Sequence, residues 1–126
     1  MIRILLVDDQ PSIRRGLQMR LALEPDLLVV GEAAGSINVL TLVQALDPDV
    51  VVMDAEMSGM DSISAVERLR ETAPHIAVVM LSMHGDKEMR QRALEAGVAA
   101  FVEKQAGVEA LLRAIRLGLS AGVSDI

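Results

Sequence analysis

Three carboxylates, a hydroxyl and a lysine stand at the ends of apolar runs in this 126-residue chain. Asp8 and Asp9 close the run Ile4-Leu5-Leu6-Val7, and Asp54 closes Val50-Val51-Val52-Met53. Ser82 closes Ile76-Ala77-Val78-Val79-Met80-Leu81, and Lys104 comes just after Val98-Ala99-Ala100-Phe101-Val102. The set suits a divalent cation and a phosphoryl group. Mg²⁺ takes oxygen ligands and keeps several waters, so two or three carboxylates are enough. Clustered carboxylates repel, which raises the pKa of at least one of them unless a cation sits among them. Beside a metal, Asp54 could act as a nucleophile that forms an aspartyl phosphate. Ser82 could hydrogen-bond a phosphoryl oxygen. Lys104, one of only two lysines with Lys87, is a point-charge partner for Asp54 and then for its phosphate. Each residue also has a plain structural reading: caps for the acids, a turn for Ser82, a surface charge for Lys104. Their recurrence at matched run ends favours the metal site.

The residues converge only if the runs are parallel strands of one sheet, with their carboxyl ends on one edge. Open α/β sheets bind ligands in the crevice outside that edge. The sequence predicts strands over 3–7, 27–33, 50–54, 76–82 and 98–103. They are continuous apolar runs, as expected of strands buried on both faces. The segments between them have helical periodicity. Ile13, Leu17 and Leu21 form the first stripe, Val39, Leu42, Val43 and Leu46 the second, and Ile63, Val66 and Leu69 the third. Met89, Ala93 and Ala96 form a weaker fourth, and Val108, Leu111, Leu112, Ile115 and Leu119 the fifth. Pro11 suits the first turn of a helix, Asp86 an N-cap, and Gly97 the left-handed position that ends a helix. Pro25, Pro48 and Pro74 fall in helix-to-strand connections. Alternating strands and helices imply right-handed crossovers and an α/β three-layer sandwich with a five-stranded parallel sheet.

The composition bounds the function. The chain is 52% apolar with a net charge of −6, one aromatic (Phe101), eight methionines and no cysteine. It makes one domain with an aliphatic core, in which methionine fills gaps. The acidic balance argues against a grip on nucleic acid by this chain alone. Without cysteine there is no disulfide framework and no thiolate site, which fits a cytoplasmic protein. No apolar stretch is long enough to span a bilayer and no signal peptide is visible. His75 and His84 have no partner at ligand spacing, so zinc is not expected. There is no Walker loop and no GxGxxG motif, and Gly31-Glu32-Ala33-Ala34-Gly35 fits neither. Arg14, Arg15 and Arg20 read as the solvated face of the first helix, or as part of a docking surface for an acidic partner. The small, polar end, 120–126, reads as the start of a linker, which gives a domain over 1–120 and a linker from 121–126.

Asp8-Asp9, Asp54, Ser82 and Lys104, in this order at these strand ends, resemble the receiver domain of bacterial two-component response regulators. The stretch Val52-Met53-Asp54-Ala55-Glu56-Met57-Ser58-Gly59-Met60-Asp61 is similar to the family's sequence around its phosphorylated aspartate. Leu81-Ser82-Met83-His84 and 93–104 resemble the NarL/FixJ-type subgroup. The resemblance covers essentially the whole chain. It implies a flavodoxin-like strand order of 2-1-3-4-5. It also implies a phosphoacceptor signalling domain rather than an enzyme, with self-catalysed phosphorylation and dephosphorylation. Asp54 would take its phosphoryl group from a sensor histidine kinase. Asp8, Asp9, Asp54 and the backbone carbonyl of Glu56 would hold Mg²⁺, and Ser82 and Lys104 would bind the phosphoryl oxygens. Ser82 and Phe101 would relay the change to the face made by the fourth helix, fifth strand and fifth helix. A homodimer could follow phosphorylation. DNA would be bound only through a helix-turn-helix domain beyond the residues present.

Some positions depart from the family's habit. Ser58 stands where proline is frequent, Ser62 where glycine is, and Met83 where a smaller residue is, so that it could crowd the phosphate. Gln105 follows Lys104 where proline is common, and a cis peptide there would cost about 2.5–4 kcal/mol. Glu56 and His84 occupy rim positions that could tune hydrolysis. Two other readings stay open at this point. One is a Mg²⁺-dependent phosphohydrolase of the haloacid-dehalogenase kind, although such enzymes usually have Asp where this chain has Glu56. The other is a phosphate-independent receiver that serves only as an interaction surface.

Overall fold

Both faces of the sheet are covered by helices, which is why its strands are apolar without alternation. The computed structural model of the chain describes residues 1–35, 38–57, 61–83 and 86–124, the last six as backbone only. The expectations about Ser58 and His84 lie outside the described residues. Strands β1 (Ile2–Val7), β2 (Leu27–Ala33), β3 (Val50–Asp54), β4 (Ala77–Ser82) and β5 (Ala100–Glu103) alternate with helices α1 (Pro11–Leu21), α2 (Val39–Leu46), α3 (Ser62–Thr72), α4 (Lys87–Ala96) and α5 (Val108–Ser124). A 3₁₀ turn, Lys104–Ala106, joins β5 to α5. All strands are parallel, in the order β2-β1-β3-β4-β5.

Strand parity divides the core in two. Leu5, Val7, Val51, Met53, Val78, Met80 and Phe101 point to the side covered by α2, α3 and α4. Ile4, Leu6, Val50, Val52, Val79, Leu81 and Val102 point to the side covered by α1 and α5, where Leu21, Leu111, Leu112 and Ile115 meet them. Arg116 fastens the second layer, donating to Glu24 at 2.9 Å and to Asp26 at 2.8 Å in the connection after α1. Arg20 bonds Glu24 and reaches Glu109 of α5 at 3.7 Å, so it braces two helices and is not simply solvated.

The punctuation residues act as expected. Pro11 opens α1, Asp86 caps α4 by accepting from the Glu88 N–H, and Gly97 ends α4 with φ 112°. Gly31 lies in β2 just after a register shift against β1. A Cβ there would sit 2.5 Å from a Leu46 methyl, so its role is close packing and not phosphate binding. Strands β4 and β5 start later than their apolar runs. Ile76 and Val98 are buried, but their N–H groups bond back to Ala73 and Ala93, in the helix ends they leave. Helix α5 runs on through Ser124, so the expected linker begins with helical backbone. Every described peptide is trans, the one before Gln105 included. Among the described residues no helix is long and apolar enough to cross a membrane.

Candidate functional site

Parallel register carries the five residues to one edge. Val7 pairs with Met53, so Asp8 leaves β1 beside Asp54. Asp54 pairs with Leu81, so Ser82 comes one step further along the next strand, and Ser82 pairs with Glu103, just before Lys104. The Ala55 N–H bonds to Leu81 O at 2.7 Å and the Asp8 N–H to Ala33 O at 3.0 Å, which extends the ladder to the ends that hold the acids.

Oxygen atoms of Asp8, Asp9 and Asp54 lie within 4.8 Å of one another. Asp8 and Asp54 are buried, 2% and 5% exposed, and Asp9 is half-buried. Lys104 Nζ stands 3.5 Å from Asp54 Oδ1 and 3.8 Å from Asp8 Oδ2. One ammonium therefore faces two buried carboxylates, and Asp8 Oδ2 has no hydrogen-bond donor among the described residues. Burial pushes the Asp54 carboxyl above the usual aspartate range. The Glu56 N–H and Lys104 pull it back, while the charges of Asp8 and Glu56 push it further up. Hard oxygen donors, excess negative charge and an orphaned buried oxygen fit a divalent cation such as Mg²⁺.

The surrounding bonds show what holds these groups. Asp8 Oδ1 accepts from the Gln10 N–H at 2.9 Å, and Asp54 Oδ1 from the Glu56 N–H at 3.1 Å. Arg14 donates to the backbone oxygen of Asp8 at 2.6 Å and to Glu32 at 3.0 Å, with its side chain only 18% exposed. It is thus a support of the acidic pair, a correction to the solvated face read from the sequence. Its place four residues before Gln18 gave no hint of this, because the partner strand β2 follows eighteen residues on. Ser62 is a second support that sequence reasoning missed. It is buried and donates from Oγ to the Asp54 backbone oxygen at 3.0 Å.

Glu56 and Ser82 are joined directly. The Ser82 hydroxyl donates to Glu56 Oε2, and the Met83 N–H donates to Glu56 Oε1 at 2.8 Å. Met83 itself is 47% exposed. Gln105, where proline was the habit, donates from Nε2 to Met83 O at 2.6 Å and ties the loop after β5 to the loop after β4. Phe101 is buried, with the Arg90 guanidinium 5.4 Å from its ring centroid and an Arg90 bond to its backbone oxygen at 3.4 Å.

The sequence pattern of the response regulator receiver domain family matches residues 4–116. Response regulator GacA of Pseudomonas aeruginosa is 37% identical over 116 residues, which are 92% of this chain and 54% of that protein. The nitrate/nitrite response regulator protein NarL of Escherichia coli is 34% identical over 112 residues, 89% of this chain and 52% of that one. The chain thus spans about half the length of the curated relatives it matches. Among solved structures, a two-component response regulator of the LuxR family from Aurantimonas sp. SI85-9A1 aligns with a TM-score of 0.90 and 32% identity, over 94% of this chain and 85% of that one.

Proposed function

Because this chain belongs to the response regulator receiver domain family, we propose that Asp54 accepts a phosphoryl group from the phosphohistidine of a sensor histidine kinase. The observation that carries this is the meeting of the Asp8, Asp9 and Asp54 carboxylates within 4.8 Å, with Lys104 Nζ 3.5 Å from Asp54. Asp54 Oδ1 takes the Glu56 N–H and faces Lys104, which leaves Oδ2 as the attacking atom. Its bond to phosphorus forms as the histidine nitrogen leaves. Asp8, Asp9 and Asp54, with the Glu56 backbone carbonyl, would hold Mg²⁺, which when bound neutralises charge on the transferring oxygens. Lys104 exchanges a carboxylate partner for a phosphoryl oxygen, and Ser82 donates to another. Ser82 and the buried Phe101 then carry the change to the face of α4, β5 and α5.

In the full-length protein the switch would govern a DNA-binding effector domain after this chain, with homodimer formation on phosphorylation. The cytoplasm is the proposed compartment. A phosphohydrolase is disfavoured by the family match and by Glu56, the acid such an enzyme would need free, whose carboxylate is taken up by Ser82 and Met83. The convergence of all five site residues weighs against a phosphate-independent role.

Intact mass after incubation with acetyl phosphate and Mg²⁺ tests the proposal. One added phosphoryl group is expected, lost in Asp54→Asn and without metal. Uptake by Asp54→Asn at the wild-type rate would overturn the assignment.

A further inference from the structure

Ser82 at the end of β4 is fully buried, yet its hydroxyl proton is already committed, to a carboxylate from the neighbouring loop. Both oxygens of Glu56 are engaged, one by Ser82 Oγ and the other by the next residue's N–H, at 2.8 Å for Met83. Two adjacent donors on one strand end thus form a cradle for an anion, and the chain's own anion fills it. A serine hydroxyl has a single proton to give. It cannot serve Glu56 and a phosphoryl oxygen on Asp54 at the same time. Glu56 is also tethered to the acceptor, since its N–H donates to Asp54 Oδ1 at 3.1 Å and its charge raises the Asp54 pKa. A phosphoryl group on Asp54 would add further negative charge next to Glu56.

We propose that the Glu56 carboxylate is an internal competitor for the phosphoryl group, holding Ser82 and the Met83 N–H in the unphosphorylated state and leaving them when Asp54 is modified. Glu56 is then a positioning residue that acts through Ser82. It sets how much of the phosphoryl group's binding is spent on releasing Ser82, and hence how fully the chain switches. This rests on the phosphoacceptor reading of Asp54. Glu56 is exposed on a loop, so its replacement leaves the core intact.

The test uses beryllofluoride as the phosphoryl stand-in at saturating Mg²⁺, with affinity read by fluorine NMR. Wild type, Glu56→Ala, Ser82→Ala and the double variant are compared. Glu56→Ala is expected to bind about tenfold more tightly, the scale of one charge-assisted hydrogen bond that no longer has to be broken. In the Ser82→Ala background the gain should shrink by about threefold or more, because the two residues are coupled. Before any beryllofluoride is added, the Met83 amide resonance should move in Glu56→Ala, because the acceptor of its N–H is removed. Equal affinity in wild type and Glu56→Ala would overturn the clamp alone. So would a gain of the same size with and without Ser82, since charge repulsion would then suffice. No binding by either protein, with the fold intact, would overturn the phosphoacceptor reading and the clamp with it.

Discussion

Ionising Asp54 works against the fold, because burial raises its carboxyl pKa more than the Glu56 N–H and Lys104 lower it. A carboxyl whose pKa rises on folding gives stability that is full below its unfolded-chain value, and that is lost as the pH climbs through the folded value. Asp54→Asn should therefore melt a few degrees above wild type at pH 7 in the absence of metal. The difference should close as the pH falls towards 3.8, the ordinary aspartate value. Thermal denaturation at both pH values reads this directly, and an unchanged difference would mean that burial of Asp54 carries no such penalty. Metal should act in the opposite sense. Mg²⁺ at a hundred times its Kd stabilises a fold by about 2.7 kcal/mol when it binds only the native state. Asp8→Asn removes one buried ligand and should abolish most of that gain in the same assay.

At the scale of the elements, the site depends on strand ends being held in place by groups outside the sheet. Ser62 opens α3 and bonds the Asp54 backbone oxygen, so this helix start also fixes the end of β3. Asp61 caps the same helix through the Ile63 and Ser64 N–H groups. Ser62→Ala keeps the cap but leaves a buried carbonyl short of a donor, which costs about 1–3 kcal/mol. Chemical denaturation should show that loss, and beryllofluoride affinity should fall with it, since the acceptor's backbone is no longer pinned. A loss of stability with unchanged affinity would separate the helix contact from the site. Arg14 plays the corresponding part for β1, joining the Asp8 carbonyl to Glu32 on β2.

For the whole molecule, the receiver reading makes this chain a domain with two states. On that reading, the Ser82–Glu56 bond and the burial of Phe101 beneath Arg90 belong to the unphosphorylated state. Beryllofluoride with Mg²⁺ is expected to shift the chain from monomer towards dimer in analytical ultracentrifugation. Asp54→Asn should remain monomeric under the same conditions. A wild-type chain that binds beryllofluoride and stays monomeric would remove dimer formation from the proposal while leaving the acceptor site in place.

Sequence alone determined the alternation of strands and helices, the parallel sheet and the five residues gathered at its edge. It could do so because strands buried on both faces must be continuously apolar, so the polar residues just after four of the five runs mark the crevice. Pro11, Asp86 and Gly97 were legible for a similar reason: their backbone requirements are local. Tertiary structure decided the rest. Arg14 and Ser62 were invisible as supports, because their partners are backbone oxygens whose position depends on how strands and helices pack. Glu56 could be placed at the rim, but its engagement with Ser82, twenty-six residues away, depends on the pairing of β3 with β4. A hydrogen bond between a strand end and a separate loop has no signature in either segment, and only the folded chain brings its two ends together.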